Sequence, residues 1–234
     1  PSLGALDLPY IFKSVKEFDD CVDQNWDLIN KRMEAESGTV AIAWHSQGFR
    51  FITNSKQPIS TLAELAPVKI RTPNNPIMIG VYRAWGTDPV PMAMDETFNA
   101  LQQKVVDGQD NPLVSIATNR FYEVQKYFTE VNYQFHPDPF YVNAAWWNGL
   151  PEEYRDIITE CATKMGEYND ELIDKNSSAA KQTIVDSGCE VYEPSADELK
   201  AFQTAVQSVY DQCVTEGICT ADEIKEMQDI VAKA

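Results

Sequence analysis

The chain alternates short apolar segments with amphipathic ones between residues 68 and 112, and this alternation limits its possible folds more than any other feature. Prolines and glycines separate the segments, as they do at the ends of helices and strands. The predicted elements are a strand at 68–72, a helix at 76–86, an extended segment at 88–94, a helix at 95–104 capped by Asp95, and a short strand with a turn at 105–112. Strands that alternate with helices in this way predict an α/β fold with a largely parallel sheet.

Helical and strand-like patterns cover most of the remaining chain. Apolar residues recur at helical spacing from Val15 to Met33, after a capping-box pair at Ser14 and Glu17, and Gly38 follows the predicted helix. The other predicted elements are strands at 39–44, 127–135, 139–147 and 189–194, one very long helix at 151–186, and two final helices that begin with the capping boxes Ser195/Glu198 and Thr220/Glu223. A chain of 234 residues with this content can form one large domain or two small ones.

The charge balance excludes several classes of partner. The formal net charge is −17, and a surface this acidic repels nucleic-acid backbones and anionic membranes. No apolar run is long enough to span a bilayer, so direct membrane insertion is not expected. We expect a monomer kept soluble by its charge, and an anionic ligand would need local positive charge to bind.

The five cysteines leave two interpretations open. No CxxC pair and no Cys/His cluster suggests zinc, so we predict neither a metal site nor a cofactor. Cys213 and Cys219 flank Gly217, so a local disulfide across a turn is one interpretation, and Cys161 and Cys189 could pair only if the chain folds back. Buried free thiols are an equally good interpretation, and the cysteines alone do not identify the compartment.

Arg71 and Asn111 are the first candidate binding residues. Arg71 ends an apolar strand, and ligands of α/β proteins collect at the carboxyl ends of strands. Its guanidinium group matches the geometry of a carboxylate, although a surface ion pair would also explain an isolated arginine. The Asn111 amide could donate to a ligand oxygen, or Asn111 could cap the following helix, which is the commoner role for an Asn before a Pro.

Other polar residues are weaker candidates. Arg50 lies near a strand and is a second possible cation for a ligand, and His45 and His136 are the only histidines. Asp107 and Asp110 lack the further spacing of metal ligands, so we interpret them as turn and capping residues. The sequence contains no GxSxG, phosphate-binding loop or dinucleotide fingerprint, and thus no catalytic motif.

Four segments together resemble the substrate-binding subunit of TRAP (tripartite ATP-independent periplasmic) transporters, of the dicarboxylate-binding type. They are GFRFITNSKQPISTLAELAPVKIRTPNN (48–75), GTDPVPMAMDETFNALQQKVVDGQDNP (86–112), RFYEVQKYFTEVNY (120–133) and LPEEYRDII (150–158). Within them, KIRTP, PVPM, ALQQ and VVDGQDNP occur in the order and spacing of that family. The resemblance covers nearly the whole chain, from LDLPYIF at residues 6–12 to the C-terminal helices.

The resemblance implies a periplasmic-binding-protein-like α/β fold, with two α/β domains around a ligand cleft and a long helix that spans the hinge. Domain one would comprise residues 1–48 and 136–176, and domain two residues 49–135 and 177–234. Family members carry a substantial stretch before the equivalent of LDLPYIF, so the N-terminal part of domain one is expected to be missing here. We therefore expect exposed sheet edges and exposed apolar surface, and with them reduced stability or altered association.

The resemblance also assigns roles to residues. Arg71 matches the arginine that pairs with the ligand carboxylate, and Asn111 the asparagine that helps to hold it. Arg50 matches a second arginine that some members use. The other implied ligand-binding positions are Asn74, Met94, Asp138, Trp44 and His45.

The implied function is capture of a small carboxylate-containing organic acid in the periplasm, followed by docking on TRAP membrane subunits and ion-driven uptake. Such a protein is not an enzyme. One alternative is a ligand-sensing domain of a signalling system. A second is an enzyme that holds a carboxylate with Arg71 and uses Asp107, Asp110 or Asp138 as a base.

Overall fold

The computed structural model of the chain describes residues 2–233, and their strands form a seven-stranded mixed sheet. The strands are β1 (Thr39–Asn54), β2 (Ile70–Thr72), β3 (Pro89–Pro91), β4 (Gly108–Pro112), β5 (Tyr127–Thr129), β6 (Phe135–Asn143) and β7 (Glu190–Tyr192). They follow the order β3-β2-β4-β1-β5-β7, and β6 pairs with β1 outside this series.

Helices cover the sheet and make up much of the chain. They are α1 (Val15–Gln24), α2 (Trp26–Ser37), α3 (Leu62–Leu65), α4 (Pro76–Ala84), α5 (Met94–Gln102), α6 (Leu113–Thr118), α7 (Ala144–Gly149), α8 (Glu152–Asp186), α9 (Ala196–Ala205), α10 (Gln207–Thr215) and α11 (Ala221–Val231). Short 3₁₀ helices occur at Ser2–Asp7 and Phe121–Glu123. The α/β class is confirmed, and α8 is the very long helix that the sequence predicts.

The predicted parallel arrangement is confirmed for β2, β3 and β4, but the sheet as a whole is mixed because of β1. The pairs β2–β3, β2–β4 and β5–β7 are parallel, but β1 is antiparallel to β4, β5 and β6. The local pattern that predicts a strand carries no information on its direction, and the long central strand β1 runs against its neighbours.

Strand β1 connects two parts of the molecule. Its first half pairs with β6, and its second half lies between β4 and β5. The register with β6 shifts between Ser46 and Phe49, and Gly48 between them has φ of 81°, a left-handed conformation that favours glycine. The register shift and the left-handed Gly48 thus lie where the strand passes from one set of partner strands to the other, which is also the predicted domain boundary. The division into two domains stays a prediction.

Most helix ends follow the local signals in the sequence. Ser14 caps α1, and both predicted C-terminal capping boxes form at the starts of α9 and α11. The helix predicted through Met33 is instead two helices, because it breaks at Asn25, whose Nδ2 donates to the carbonyl of Cys21 at 2.8 Å.

Four further predictions of local structure are wrong. Ala93 precedes α5 where Asp95 was the expected cap, so Asp95 lies in the first turn and interacts favourably with the helix dipole. Residues 144–149 form α7 and not a strand, because the Asn143 side chain accepts a hydrogen bond from the backbone of Trp146. The C-terminal segment has three helices, since α9 and α10 separate at Val206, and residues 130–134 lie between strands.

The sheet is buried on both faces where β1 is central. Consecutive residues of a strand point to opposite faces, and Phe51 and Ile52 belong to two different hydrophobic clusters. The larger cluster contains edge-to-face contacts among Tyr82, Trp85 and Tyr133. Polar side chains at the ends of these strands are consequently enclosed by protein.

Residues 2–233 contain neither a membrane-spanning helix nor a cluster of side chains suited to a metal ion. No helix there is long and apolar enough to cross a membrane. No group of three or more His, Cys, Asp or Glu side chains in that range could hold a metal ion.

Candidate functional site

The fold brings Arg71 and Asn111 together at the carboxyl ends of β2 and β4. These two strands are parallel neighbours, and Arg71 pairs in register with Gln109. Asn111 is two residues beyond Gln109 and therefore on the same side of the sheet. Both candidate residues are buried, which separates them from the many exposed polar groups of the chain.

Arg71 is a buried cation whose direct partner is a backbone carbonyl. Its Nε and Nη2 donate to the carbonyl oxygen of Met92 at 3.0 and 2.7 Å, and only 3% of the residue is exposed. Within the described part of the chain it forms no ion pair. Burial lowers the pKa of Arg71 from its ordinary value; the charge of Asp110 raises it in part, and the charge of Arg50 lowers it further. A guanidinium group in this position gains from any anion that reaches it.

Asn111 is fixed by three neighbours. Its Nδ2 donates to Gln109 Oε1 at 2.6 Å and faces Met94 Sδ at 3.8 Å, while its Oδ1 accepts from Arg50 Nη2 at 3.4 Å. The expected helix-capping role is wrong, because β4 extends to Pro112 and Pro112 occupies the position before α6. Of the two Nδ2 hydrogens of Asn111, one is held by Gln109, and the other faces only the weak acceptor Met94 Sδ and is the one that a ligand oxygen at the strand end can accept.

Arg50 carries a charge that is already neutralised. Its Nε donates to Asp110 Oδ2 at 2.7 Å, and its Nη2 donates to the Asp110 carbonyl at 2.8 Å. The two side chains are 3% and 0% exposed, and the same Asp110 oxygen accepts from the Tyr133 hydroxyl. Burial by itself would lower the pKa of Arg50, but the ion pair with Asp110 outweighs it and raises the pKa overall. Whether Arg50 contacts a ligand stays a prediction.

A polar network extends from Arg50 toward β6. His136 Nδ1 lies 3.2 Å from Arg50 Nη1, and His136 Nε2 lies 3.5 Å from Asp138 Oδ1. Because an arginine can only donate, Nδ1 accepts and the proton of a neutral His136 lies on Nε2. Gln47 donates to Asp138 and accepts from Ser115 at 3.0 Å. Burial lowers the pKa of His136, and the charge of Arg50 lowers it further.

The remaining predicted residues divide into two groups. Asn74 follows β2 and is exposed, and Met94 begins α5 with its sulfur beside Asn111, so both lie at the strand ends near Arg71.

Trp44 and His45 lie in the first half of β1, toward α1 and α8. The Trp44 ring packs edge-on against Phe18 and lines a separate cavity of roughly 480 Å³.

His45 contacts the long helix. Its Nδ1 lies 3.0 Å from Asn169 Nδ2 of α8. From the sequence, His136 is notable only as one of the two histidines and Gln109 has no expected role, because their contacts are with partners far along the chain. The one local pattern that could have identified them is their position two residues before a candidate residue on the same strand, Asp138 on β6 and Asn111 on β4.

The carboxylates considered as catalytic bases are engaged in other contacts. Asp107 lies just before β4, at the opposite end of the strand from Asn111, where it accepts from Lys56 Nζ and the Lys69 backbone, both at 2.9 Å. Asp110 is paired with Arg50. Asp138 is the remaining one near the site, and it accepts from Gln47.

Known proteins match the chain over most of its length. The family model described as DctP, bacterial extracellular solute-binding protein, family 7, matches residues 1–216. The chain is 27% identical over 232 residues to the 2,3-diketo-L-gulonate-binding periplasmic protein YiaO of Escherichia coli, covering 98% of this chain and 70% of that one.

Two solved structures show the same fold. One is a TRAP periplasmic solute-binding protein from Roseobacter denitrificans with bound β-D-glucuronate, with a TM-score of 0.91 and 28% identity over 97% of this chain and 75% of that one. The other is the sugar acid binding protein DctPAm from Advenella mimigardefordensis in complex with galactonate, with a TM-score of 0.90 and 28% identity over 100% of this chain and 74% of that one.

Proposed function

The chain belongs to family 7 of the bacterial extracellular solute-binding proteins, and from this premise we propose that it binds the carboxylate of a small organic acid between Arg71 and Asn111. Capture takes place outside the cytoplasm, and the bound acid is handed to TRAP membrane subunits for ion-driven uptake. The ligand is released unchanged, so the protein is not an enzyme.

The observation that carries this proposal is the environment of Arg71. Two of its five N–H groups donate to one carbonyl oxygen, and the charge has no acidic partner among the described residues. Leaving a cation buried without a counterion is costly, and a ligand carboxylate removes that cost while it accepts two parallel hydrogen bonds. The Asn111 amide then completes the recognition of the same group.

The charges at the site favour a ligand with one carboxylate and several hydroxyl groups. Of the two buried arginines described here, Arg50 is neutralised by Asp110, which leaves Arg71 for a single carboxylate. Asp138 adds carboxylate oxygens that suit hydroxyl donors and repel a second carboxylate, and the Nε2–H of His136 beside it is a hydrogen-bond donor. We therefore propose a sugar acid in preference to a C4-dicarboxylate. The solved relatives with bound glucuronate and galactonate support this choice.

The other residues of the site have supporting roles in this proposal. Arg50 holds the Asn111 amide in position, Met94 and Asn74 lie at the strand ends beside it, and Asp138 accepts from a ligand hydroxyl. Trp44 and His45 lie on the other half of β1 and contact the ligand only when the two halves close. Closure bends the chain at Gly48, which is left-handed and lies within the register shift of β1.

A thermal-shift screen tests the proposal. The chain is heated with glucuronate, galacturonate, galactonate and succinate, beside Arg71→Ala and the matched control Arg83→Ala, an exposed arginine on α4. A ligand at 100 times its Kd adds about 2.7 kcal/mol, or roughly 5–10 °C in Tm for a chain of this size. We expect a sugar acid to stabilise the parent and Arg83→Ala but not Arg71→Ala. Stabilisation that persists in Arg71→Ala places the site elsewhere.

Two further measurements separate this proposal from its alternatives. NMR spectra of the ligand after prolonged incubation should show no new species, whereas an enzyme would produce one. The genes beside the coding sequence distinguish transport, with TRAP membrane subunits, from sensing, with a signalling protein.

A further inference from the structure

We propose that Cys213 and Cys219 form a disulfide bond that closes the turn between α10 and α11. The inference uses the extracellular placement of the proposed function, because disulfides persist in oxidising compartments. It does not depend on the identity of the ligand or on Arg71.

The backbone of the turn brings the two cysteines together. Helix α10 ends at Thr215, and Gly217 then adopts a left-handed conformation with φ of 68°. Gly217 N donates to Val214 O at 3.2 Å and Ile218 N donates to Cys213 O at 2.9 Å, which is the Schellman pattern of a helix end. Cys219 follows, and its own N–H donates to the Cys213 carbonyl at 3.3 Å.

The side chains of this pair are both enclosed by protein. Cys213 and Cys219 are buried, at 1% and 2% exposed, and both thiols are free. Burial raises the pKa of Cys213 to about 12, and the neighbouring Cys219 contributes to the increase. A backbone hydrogen bond between two residues holds their Cα atoms at the separation of roughly 4.4–6.8 Å that a disulfide spans. We expect rotation of the side chains to bring the two sulfur atoms to bonding distance across this turn.

The other cysteines have different surroundings. Cys21 Sγ lies 3.9 Å from Met227 Sδ, and Cys189 Sγ contacts the carbonyl oxygens of Tyr122 and Gln125 at 3.5 and 3.3 Å. Cys161 is exposed on α8. We expect these three to remain thiols, which accounts for the odd number of cysteines.

The chemistry is thiol–disulfide exchange with a dithiol-disulfide oxidant of the extracytoplasmic compartment. One cysteine, as a thiolate, attacks the oxidant disulfide, forms a mixed disulfide and releases one oxidant thiol. The second cysteine then attacks the sulfur of the first, forms the Cys213–Cys219 bond and releases the second oxidant thiol. Two electrons pass to the oxidant, and the two protons lost by the cysteines end on its thiols.

Burial determines when this exchange takes place. Only the thiolate reacts, and the raised pKa of Cys213 leaves very little thiolate in the folded protein. The bond should form during folding, before α10 and α11 cover the pair. Folded reduced protein should oxidise much more slowly than protein that refolds in the presence of the oxidant.

Thiol counting in a Cys161→Ser background tests the proposal and avoids dimers through the exposed thiol. The protein is unfolded and refolded with a mixture of oxidised and reduced glutathione, and thiols are then counted with Ellman's reagent in denaturant. Two of the four remaining cysteines should be lost to the reagent, and peptide mapping without reduction should join residues 213 and 219. Reduction of the disulfide by dithiothreitol should lower the Tm by only about 5 °C, because a disulfide that closes a short loop restricts the unfolded chain less than one that closes a long loop.

The double variant Cys213→Ser/Cys219→Ser in the same background is the control. It should show two thiols with and without reduction, and its Tm should not respond to dithiothreitol. Four thiols in the refolded parent, or a different linked pair of peptides, overturns the proposal. Neither result bears on the ligand screen, so the two proposals fail separately.

Discussion

The buried ion pair between Arg50 and Asp110 gives the sharpest prediction of stability, and it also decides what Arg50 does. Arg50 and Asp110 are joined at 2.7 Å, and both side chains are almost completely buried. The second oxygen of Asp110 is buried with no hydrogen-bond partner among the described residues. Removal of either partner thus leaves a poorly compensated charge in the protein interior.

The size of the effect follows from that burial. Breaking a buried pair by removing one partner costs about 3–5 kcal/mol, and we expect this loss for both Arg50→Met and Asp110→Asn. Asp110→Asn is made worse by Arg71, because two buried cations then lie near each other. The double variant Arg50→Met/Asp110→Asn removes both charges, so it should cost about 2–3 kcal/mol less than the sum of the single variants.

Urea unfolding followed by tryptophan fluorescence measures these differences, provided that the dependence on urea concentration is unchanged between variants. Arg83→Met serves as the control, because Arg83 is exposed on α4 and its loss should change stability very little. Additive losses in the double variant would contradict the argument, since they would show that the two charges do not stabilise each other.

Calorimetric titration of the same variants distinguishes support from direct binding. If Arg50 acts by holding Asn111, its loss should weaken ligand binding by less than tenfold, while Arg71→Ala should weaken it about 30-fold or more. If Arg50→Met remains stable and loses as much affinity as Arg71→Ala, then Arg50 is a second ligand-binding cation, as the resemblance implied.

Four further predictions concern single residues. Arg71→Lys keeps the charge but loses the planar pair of donors, so calorimetric titration should show a Kd for the sugar acid about 10–100-fold higher than that of the parent. An unchanged Kd would mean that the site recognises only the positive charge. The pKa of His136 is lowered from 6.5, so the neutral imidazole stabilises the fold above that pH. The free energy of unfolding then decreases as the pH falls below 6.5, by at most about 1.4 kcal/mol per pH unit. His136→Gln should make the Tm depend less on pH between 7 and 5.5, and parallel curves of Tm against pH for the parent and the variant would refute this. The pKa of Asp19 is raised to about 6 by burial and then by the nearby carboxylates Asp170 and Asp23. The free energy of unfolding therefore decreases as the pH rises from about 3.8 to about 6. Asp19→Asn should be about 1 kcal/mol more stable than the parent at pH 7, allowing for solvent screening, and this difference should be smaller at pH 4. Ser195→Ala removes a capping box and should cost about 1 kcal/mol in urea unfolding, with no change in ligand affinity.

Part of the candidate site could be recognised from local sequence. Arg71 ends an apolar strand before a proline, and this position at a strand end is sufficient to suggest a ligand site. The role of Asn111 could not be chosen in the same way, because an asparagine before a proline serves equally well as a helix cap. Its strand pairs with residues near 51 and 71, far along the chain, and only that pairing shows that Asn111 continues the sheet.

Contacts that span long stretches of sequence leave no local signal. The ion pair of Arg50 joins residues 60 positions apart, and the contact of His136 with Arg50 joins residues 86 positions apart. Neither partner has a spacing or flanking motif that identifies the other. Asp110 was for the same reason interpreted as a turn residue, although it is a completely buried counterion.

Local sequence patterns are sufficient to predict several of the helices and many of their ends. The long helix α8, the proline at the start of α4 and the capping box at Ser195 depend on interactions within a few residues, and each formed where the local pattern indicated it. The tertiary structure alone decided the direction of β1, the neutralisation of Arg50 and the isolation of Arg71. These features depend on which distant segments meet, and on the low-dielectric interior that their packing creates around a charge.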